Sequence, residues 1–391
     1  MSKAQIFLLL VLLTAFPPLA TDMYLPAIPM LQQRWDQPLM VINLTLIVFF
    51  FSYCLFLLIY GPLSDRFGRR PPLLGGIALF VGASVLCGLA DSVAVLIFAR
   101  ILQAAGAAAS TSLSMAITKD IYTNNERVRI LAWIGVIMPL APAVAPIIGG
   151  WILLWLSWRW IFILQAGIGV IAWIGVYRMG ETNTEPVQTG LRQTALIYLE
   201  LLRNRRYIAY AVLVSLVVLP HFAFIAGSAD IYMNHFGVSA QHFGYFFAIN
   251  AIAFMSGSLL CTRLLKRIRA GTVMTLGFVG LLSGGIIMLL RLFPGPWSLA
   301  LPMAVVTFSI GLSRPPSNNL VLEQVDKYAG SASSLLIFIF FTLGACSMWF
   351  ISLAWTDKVE VIGLLAAGCG AVMLLAWGLL ARRDVLKKEA S

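Results

Sequence analysis

Residues 61–76 read GPLSDRFGRRPPLLGG. Three arginines and an aspartate stand there among glycines and prolines. On either side the charges vanish: LIVFFFSYCLFLLIY (46–60) precedes the stretch and IALFVGASVLCGLA (77–90) follows it. A helix of about 20 apolar residues crosses a hydrocarbon layer about 30 Å thick. The stretch therefore reads as a tight, charged loop between two membrane-crossing helices.

Working outward, the same alternation recurs along the whole chain. Twelve apolar spans are predicted near 5–30, 40–62, 72–90, 94–116, 129–153, 160–178, 208–233, 242–262, 272–291, 297–315, 330–353 and 360–381. Of the 391 residues, 60% are hydrophobic and only 11% charged, and the mean hydropathy is +0.90. A soluble protein of this length has too little interior to hide so much apolar surface. A β-barrel would show alternating ten-residue segments instead. The expected fold class is an all-α polytopic membrane protein with twelve transmembrane helices in two six-helix halves. The longest polar interval, 179–207, divides the spans six and six. The expected halves are thus 1–178 and 208–391, joined by a linker at 179–207.

Lys and Arg fall in alternate loops, leaving mainly Arg34, Arg159, Arg291 and Lys358 on the opposite side. By the positive-inside rule both termini are cytoplasmic. The net charge of +11 is explained by this pattern and not by nucleic acid. The N-terminal run mimics a signal peptide, but its removal would leave an odd span count, so it is expected to be retained. The five cysteines lie inside apolar runs without a CxxC pair, and His221, His235 and His242 are scattered, so no metal or cofactor is indicated. No nucleophile–base pair and no GxxxxGK[ST] loop is present, which disfavours an enzyme or a directly ATP-driven pump. A channel is disfavoured by the lack of a repeated filter.

An internal echo supports duplication. ATDMY (20–24) ends span 1 and SADIY (228–232) ends span 7. Each is followed by an aromatic-rich span and then a basic loop, SDRFGRR or RLLKRIRAG. Two repeated halves with a site near mid-membrane are a transporter architecture.

In the 61–76 loop, Gly61 is expected to allow close helix contact and Gly68 a tight turn. Asp65 is placed to accept backbone amides at a helix start. Arg66, Arg69 and Arg70 can pair with Asp65 or with a carboxylate of another loop. The cluster reads as a conformational latch; the plainer alternative is a topology anchor.

GPLSDRFGRRP resembles the signature loop of the major facilitator superfamily. LIFARILQAAGAA (96–108) resembles its span-4 motif. GVIMPLAPAVAPIIGGWI (135–152) resembles the span-5 motif of its proton-coupled exporters. TDMYLPAIP (21–29) resembles the span-1 end of Bcr/CflA-type drug/proton antiporters, which include chloramphenicol and bicyclomycin exporters. The likeness implies a proton-coupled multidrug exporter of the bacterial inner membrane, working by alternating access as a monomer. Its partners would be lipophilic drugs, protons and lipid. A proton-coupled symporter or exporter of one metabolite is the alternative. The chain departs from the pattern twice. Ala141-Pro142 and Ala145-Pro146 stand before Gly149-Gly150 where Gly-Pro is usual. Span 1 lacks a second acid, with Thr14, Ala15 and Phe16 at its middle.

Asp22 is the acid the exporter reading needs. An ionised carboxylate inside a bilayer costs several kcal/mol unless it faces protein or water. Burial disfavours the charged form of an acid and a neighbouring guanidinium favours it; an acid balanced between the two can load and release protons. Asp22 and Arg100 are predicted at comparable depth, so Asp22, Arg100 and the echoed Asp230 are the candidate proton-coupling residues. A static Asp–Arg pair is the structural alternative. Asp22, Tyr24, Asn43, Phe50, Tyr53, Gln103, His221, Tyr232, Asn250, Phe254 and Phe338 are the candidate substrate contacts, because an aromatic cavity binds flat lipophilic compounds without strict geometry. Pro142, Pro146, Gly149 and Gly150 are expected to bend or loosen span 5. Trp151, Trp155, Trp158, Trp160 and Trp297 read as interfacial anchors.

Overall fold

A computed structural model describes residues 1–123, 126, 130, 140–183, 191–325 and 327–389. Span 1 is built in pieces: α1 (Lys3–Thr14), α2 (Phe16–Asp22), a 3-10 turn (Leu25–Ala27) and α3 (Ile28–Trp35). There follow α4 (Leu39–Phe67), α5 (Arg70–Leu89), α6 (Val93–Ile121), α7 (Leu140–Trp155), α8 (Arg159–Arg178), α9 (Leu191–Arg203), α10 (Arg205–Ser215) and α11 (Val218–Ala229). A π-helical turn (Asp230–His235) leads to α12 (Ala240–Leu264), α13 (Ala270–Leu289), α14 (Trp297–Leu322), α15 (Ala329–Ile351) and α16 (Lys358–Glu389).

Among the described residues, ten helical stretches are long and apolar enough to cross a membrane. An eleventh is formed when Arg205–Ser215 and Val218–His235 are taken as one span bent by 41°. The shorter apolar helix α7 falls within the span predicted near 129–153; Gly135 and Pro139 of that predicted span lie outside the described residues.

The breaks follow from prolines. Pro17, Pro26 and Pro29 each stand at the first positions of a new helical segment, where a missing N–H is harmless. Elsewhere caps define the starts. Ser92 accepts the Val95 amide at the head of α6, and Asn204 accepts that of Tyr207 at α10.

The described chain divides into two compact units, Met1–Glu200 with Tyr232–Ala248, and Leu201–Ile231 with Ile249–Ser391. In the first, α6 packs against both α4 and α5, and α5 against α8. Small residues let backbones touch: a methyl at Gly106 would meet the Phe80 amide nitrogen at 2.5 Å. In the second, α13 packs against α14 and α16, and α11 against α15.

One predicted anchor is misplaced. Trp158 is not interfacial but buried, 1% exposed, with its ring edge-on to Trp35 at 5.6 Å and to Phe162 at 6.1 Å. Trp151, Trp155, Trp160 and Trp297 are exposed. The cause is the short turn between α7 and α8, which folds Trp158 inward at the head of α8.

Candidate functional site

The site in the first unit starts from a helix that stops inside the span. At the end of α2 the last carbonyls have no intrahelical donor. Three of the last four find another: Leu19 O accepts from Gln165 Nε2 at 3.1 Å, Ala20 O from Arg100 Nη1 at 2.9 Å, and Thr21 O from the Tyr24 amide at 3.3 Å. Arg100, fully buried, thus caps a helix C-terminus, where a cation is favoured. It also donates to Thr45 O at 3.3 Å and to Gln103 Oε1 at 2.5 Å.

Asp22 and Arg100 share this region but do not form an ion pair. The static pair considered from sequence is absent. Asp22, 6% exposed, has one hydrogen-bond partner among the described residues, the Thr21 hydroxyl at 2.9 Å. That hydroxyl also lies 3.0 Å from Pro17 O.

Gln103 is a hub and not an open substrate contact. Its amide accepts from Arg100 and donates to Ser84 Oγ and Gln165 Oε1, both at 2.8 Å. Aromatic rings complete the surroundings of Arg100: its guanidinium lies 4.3 Å from the Phe49 ring centroid, 5.4 Å from Tyr24 and 5.9 Å from Phe162. Phe50 meets Phe49 edge-on and Tyr53 stacks on it. Asn43 is fully buried nearby on α4. Tyr232 also belongs to this unit, stacked on Phe246 at 5.1 Å.

The other candidates fall in the second unit. His221 stacks on Phe254 at 6.4 Å and meets Phe222 edge-on at 5.9 Å. Asn250 accepts from Thr307 Oγ1 at 3.3 Å. Phe338, chosen from sequence, joins no ring pair among the described residues; its neighbour Phe340 does, edge-on to Phe222, with the Arg314 guanidinium 4.1 Å from its centroid. Asp230 is ion-paired with Lys358, and both side chains are 17% exposed. The two echoed aspartates therefore differ: one holds a fixed cation and the other does not.

The loop cluster is built around Arg69. Its guanidinium reaches Asp65 at 2.5 Å, Ser64 Oγ at 2.7 Å and Asp120 at 2.9 Å. The carboxylate that accepts the helix-start amides is not Asp65 but Glu181, which takes Arg69 N–H at 2.7 Å and Arg70 N–H at 3.0 Å. Asp65 is still inside α4 and faces Arg69 one turn on. Gly68 has φ +85°, and a side chain there would strike the Glu181 carboxylate at 2.5 Å. Burial pushes the Glu181 carboxyl up, but the amides of Asn183, Arg69, Arg70 and Thr182 outweigh it and hold the acid below its ordinary range. Arg70 donates to Tyr177 O at 2.5 Å and lies over that ring. Arg66 pairs with no carboxylate among the described residues and lies over Phe67. Gly61 supports no close helix contact: a methyl there would meet nothing within 4 Å.

Close contact instead falls on α7, which carries Pro146 inside it and Pro142 in its first turn. A methyl at Gly149 would collide with the Met23 carbonyl, and one at Gly150 with that of Ala240. These glycines hold α7 against the end of span 1 and the start of α12.

A sequence model described as the Major Facilitator Superfamily matches residues 10–348. The chain belongs to the major facilitator superfamily. That places it among membrane transporters and not enzymes. This major facilitator protein is 28% identical to a bicyclomycin resistance protein homolog of Haemophilus influenzae, over 96% of the chain and 95% of that protein. It is 30% identical to a chloramphenicol resistance protein of Pseudomonas aeruginosa, over 83% and 77% respectively. The crystal structure of a point mutant of the nucleoside transporter NupG superposes with a TM-score of 0.79 at 12% identity, covering 96% of this chain and 99% of that one, and shares the fold.

Several residues of this major facilitator site escaped the sequence reading. Gln165 carried a usable signal, a lone amide within IFILQAGIGV. Glu181 and Asp120 did not, because charges at span ends are expected everywhere. Thr21, Thr45 and Ser84 are common in membrane helices, and only coordinates show what their hydroxyls touch.

Proposed function

We propose that this transporter exports lipophilic small-molecule drugs across the bacterial inner membrane in exchange for protons, by alternating access. Both termini lie in the cytoplasm. Six-helix halves at 1–178 and 208–391, joined by 179–207, alternate around the substrate, and the monomer is the working unit in lipid. The loop around Arg69 is then cytoplasmic and serves as a latch. Asp22 carries the proton, and Arg100 holds the broken helix end beside it.

The observation that carries this reading is the isolation of Asp22. It is a buried carboxylate with no salt bridge or hydrogen bond to a cation among the described residues, while the nearby guanidinium of Arg100 spends its donors on carbonyls and an amide oxygen. Hydrogen counting agrees. The Thr21 hydroxyl has one hydrogen and two oxygens in reach, Pro17 O and Asp22 Oδ1. A protonated Asp22 can donate to Thr21 Oγ1 while that hydroxyl donates to Pro17 O, and both contacts are then satisfied. An ionised Asp22 draws the Thr21 hydrogen to itself, and Pro17 O keeps only its helical amide partner. Asp230, fixed by Lys358, is the lesser candidate.

The test is drug-driven proton flux in proteoliposomes. Asp22→Asn should abolish coupled flux while still binding drug. Unchanged coupled flux in the variant would remove Asp22 from the mechanism, and transport driven by ATP without a gradient would remove the antiporter class.

A further inference from the structure

Arg314 lies inside α14, eight residues before its end, and its treatment differs from that of Arg100. Arg100 gives hydrogen bonds to two carbonyls and an amide oxygen. Among the described residues Arg314 gives none, and no carboxylate pairs with it. The acids of the second unit whose side chains are described are engaged elsewhere: Asp230 with Lys358, Asp357 and Glu360 with Arg291, and Glu323 with Asn319. A guanidinium carries five N–H donors in a planar fork; those of Arg314 are not sealed by protein, so they stand open to an incoming acceptor. The Phe340 ring, 4.1 Å from the guanidinium, is what supports the charge.

A second observation points the same way. His221 on α11 is linked to Arg314 through two rings: it meets Phe222 edge-on, Phe222 meets Phe340 edge-on, and Phe340 carries the guanidinium. Its Nδ1 is buried and has no hydrogen-bond partner among the described residues. Its ring is flanked by Phe254 and Phe222, the latter edge-on to Phe340. Aromatic walls thus enclose a cation and an imidazole nitrogen, both without such partners.

We propose that Arg314 and His221 form a recognition site for flat aromatic compounds bearing acceptor oxygens, such as a nitro or carboxylate group, and that the site disfavours permanently cationic compounds. The guanidinium fork fits paired oxygens, and the ligand ring that carries them meets the aromatic side chains around Arg314, Phe340 and Phe222. A cationic ligand meets an uncompensated like charge. The substrate class rests on the drug-export reading above; the binding site itself does not.

The experiment uses the full chain, purified and reconstituted, with chloramphenicol as the nitroaromatic probe and tetraphenylphosphonium as the permanent cation. Calorimetric binding and gradient-driven transport are both measured. Arg314→Gln should weaken chloramphenicol binding about tenfold or more, the loss of a charge-assisted contact. Tetraphenylphosphonium should bind wild type more weakly than chloramphenicol and gain affinity in the variant. Wild-type chloramphenicol affinity in a folded Arg314→Gln protein overturns the site, as does stronger wild-type binding of tetraphenylphosphonium. If Arg314→Gln does not fold, Arg314→Lys decides: it keeps the charge but loses the fork, so weakened binding supports the site and unchanged binding overturns it. Gradient-driven movement of tetraphenylphosphonium without chloramphenicol binding overturns the site and leaves export standing. Arg314-dependent binding without gradient-driven transport supports the site and overturns export.

Discussion

Arg100 Nη1 donates to the carbonyl oxygen of Ala20 at 2.9 Å, two residues before Asp22, and the carboxylate itself is not its partner. The two charges that sequence placed at one depth thus have different hydrogen-bond partners. The arginine closes a helix end that prolines have broken, and among the described residues the acid has no salt bridge. Arg100→Met should lower stability by about 2 kcal/mol or more, since buried acceptors left without donors cost about 1–3 kcal/mol each. Asp22→Asn should cost less than about 1 kcal/mol. Thermal unfolding in detergent measures both. A loss for Asp22→Asn as large as for Arg100→Met would mean that the two residues act as an ion pair after all.

Glu181 gives a pH signature outside the membrane. Burial raises its carboxyl, but four backbone amides hold it below the ordinary 4.5. A depressed acid stabilises the fold above its unfolded value and loses that contribution as pH falls through the folded one. Wild type and Glu181→Gln should therefore differ most in Tm near neutrality, and the gap should close as pH drops below 4.5. A gap that stays constant across the titration would show that the amide contacts do not depend on the charge.

The fold was legible because apolar runs and basic loops are long-range patterns that a single chain displays without coordinates. The site was legible only in part. Asp22 and Arg100 announce themselves as charges in apolar spans. Which oxygens Arg100 serves depends on where α2 stops, and the four prolines of span 1 give the region but not the register. Gln165 and Glu181 became partners only through the packing of α8 and its end against α2 and the head of α5. Arg314 stood in the sequence as a charge near a span end, a position that normally means solvent. Its lack of an anion among the described residues depends on all its described neighbours at once.

Glycines separate motif from contact. Gly61 belongs to the loop motif yet has open space around it, whereas a methyl at Gly150 would collide with the Ala240 carbonyl. Gly61→Ala should be neutral or stabilising by up to about 1 kcal/mol, because alanine is the better helix former. Gly150→Ala should destabilise by about 1–3 kcal/mol, as overpacking does, and should raise passive proton leak by separating α7 from α12. Tm measurements in detergent report the stability effects, and dye quenching in proteoliposomes the leak. Equal behaviour of the two alanine variants would contradict this assignment of the contacts.

Asp230 repeats the sequence position of Asp22 but not its surroundings. Lys358 neutralises it, and both side chains are largely buried. Breaking a buried pair by removing one partner costs about 3–5 kcal/mol, whereas replacing both is often neutral; partial exposure here reduces the first figure to about 2 kcal/mol. Asp230→Asn should therefore lower Tm, and Asp230→Asn with Lys358→Met should restore most of it. Coupled transport should follow stability in both variants, since a fixed pair has no proton to exchange. If the double variant is stable but uncoupled from the proton gradient, Asp230 shares the proton-carrying role with Asp22 and the two halves work as functional as well as sequence repeats.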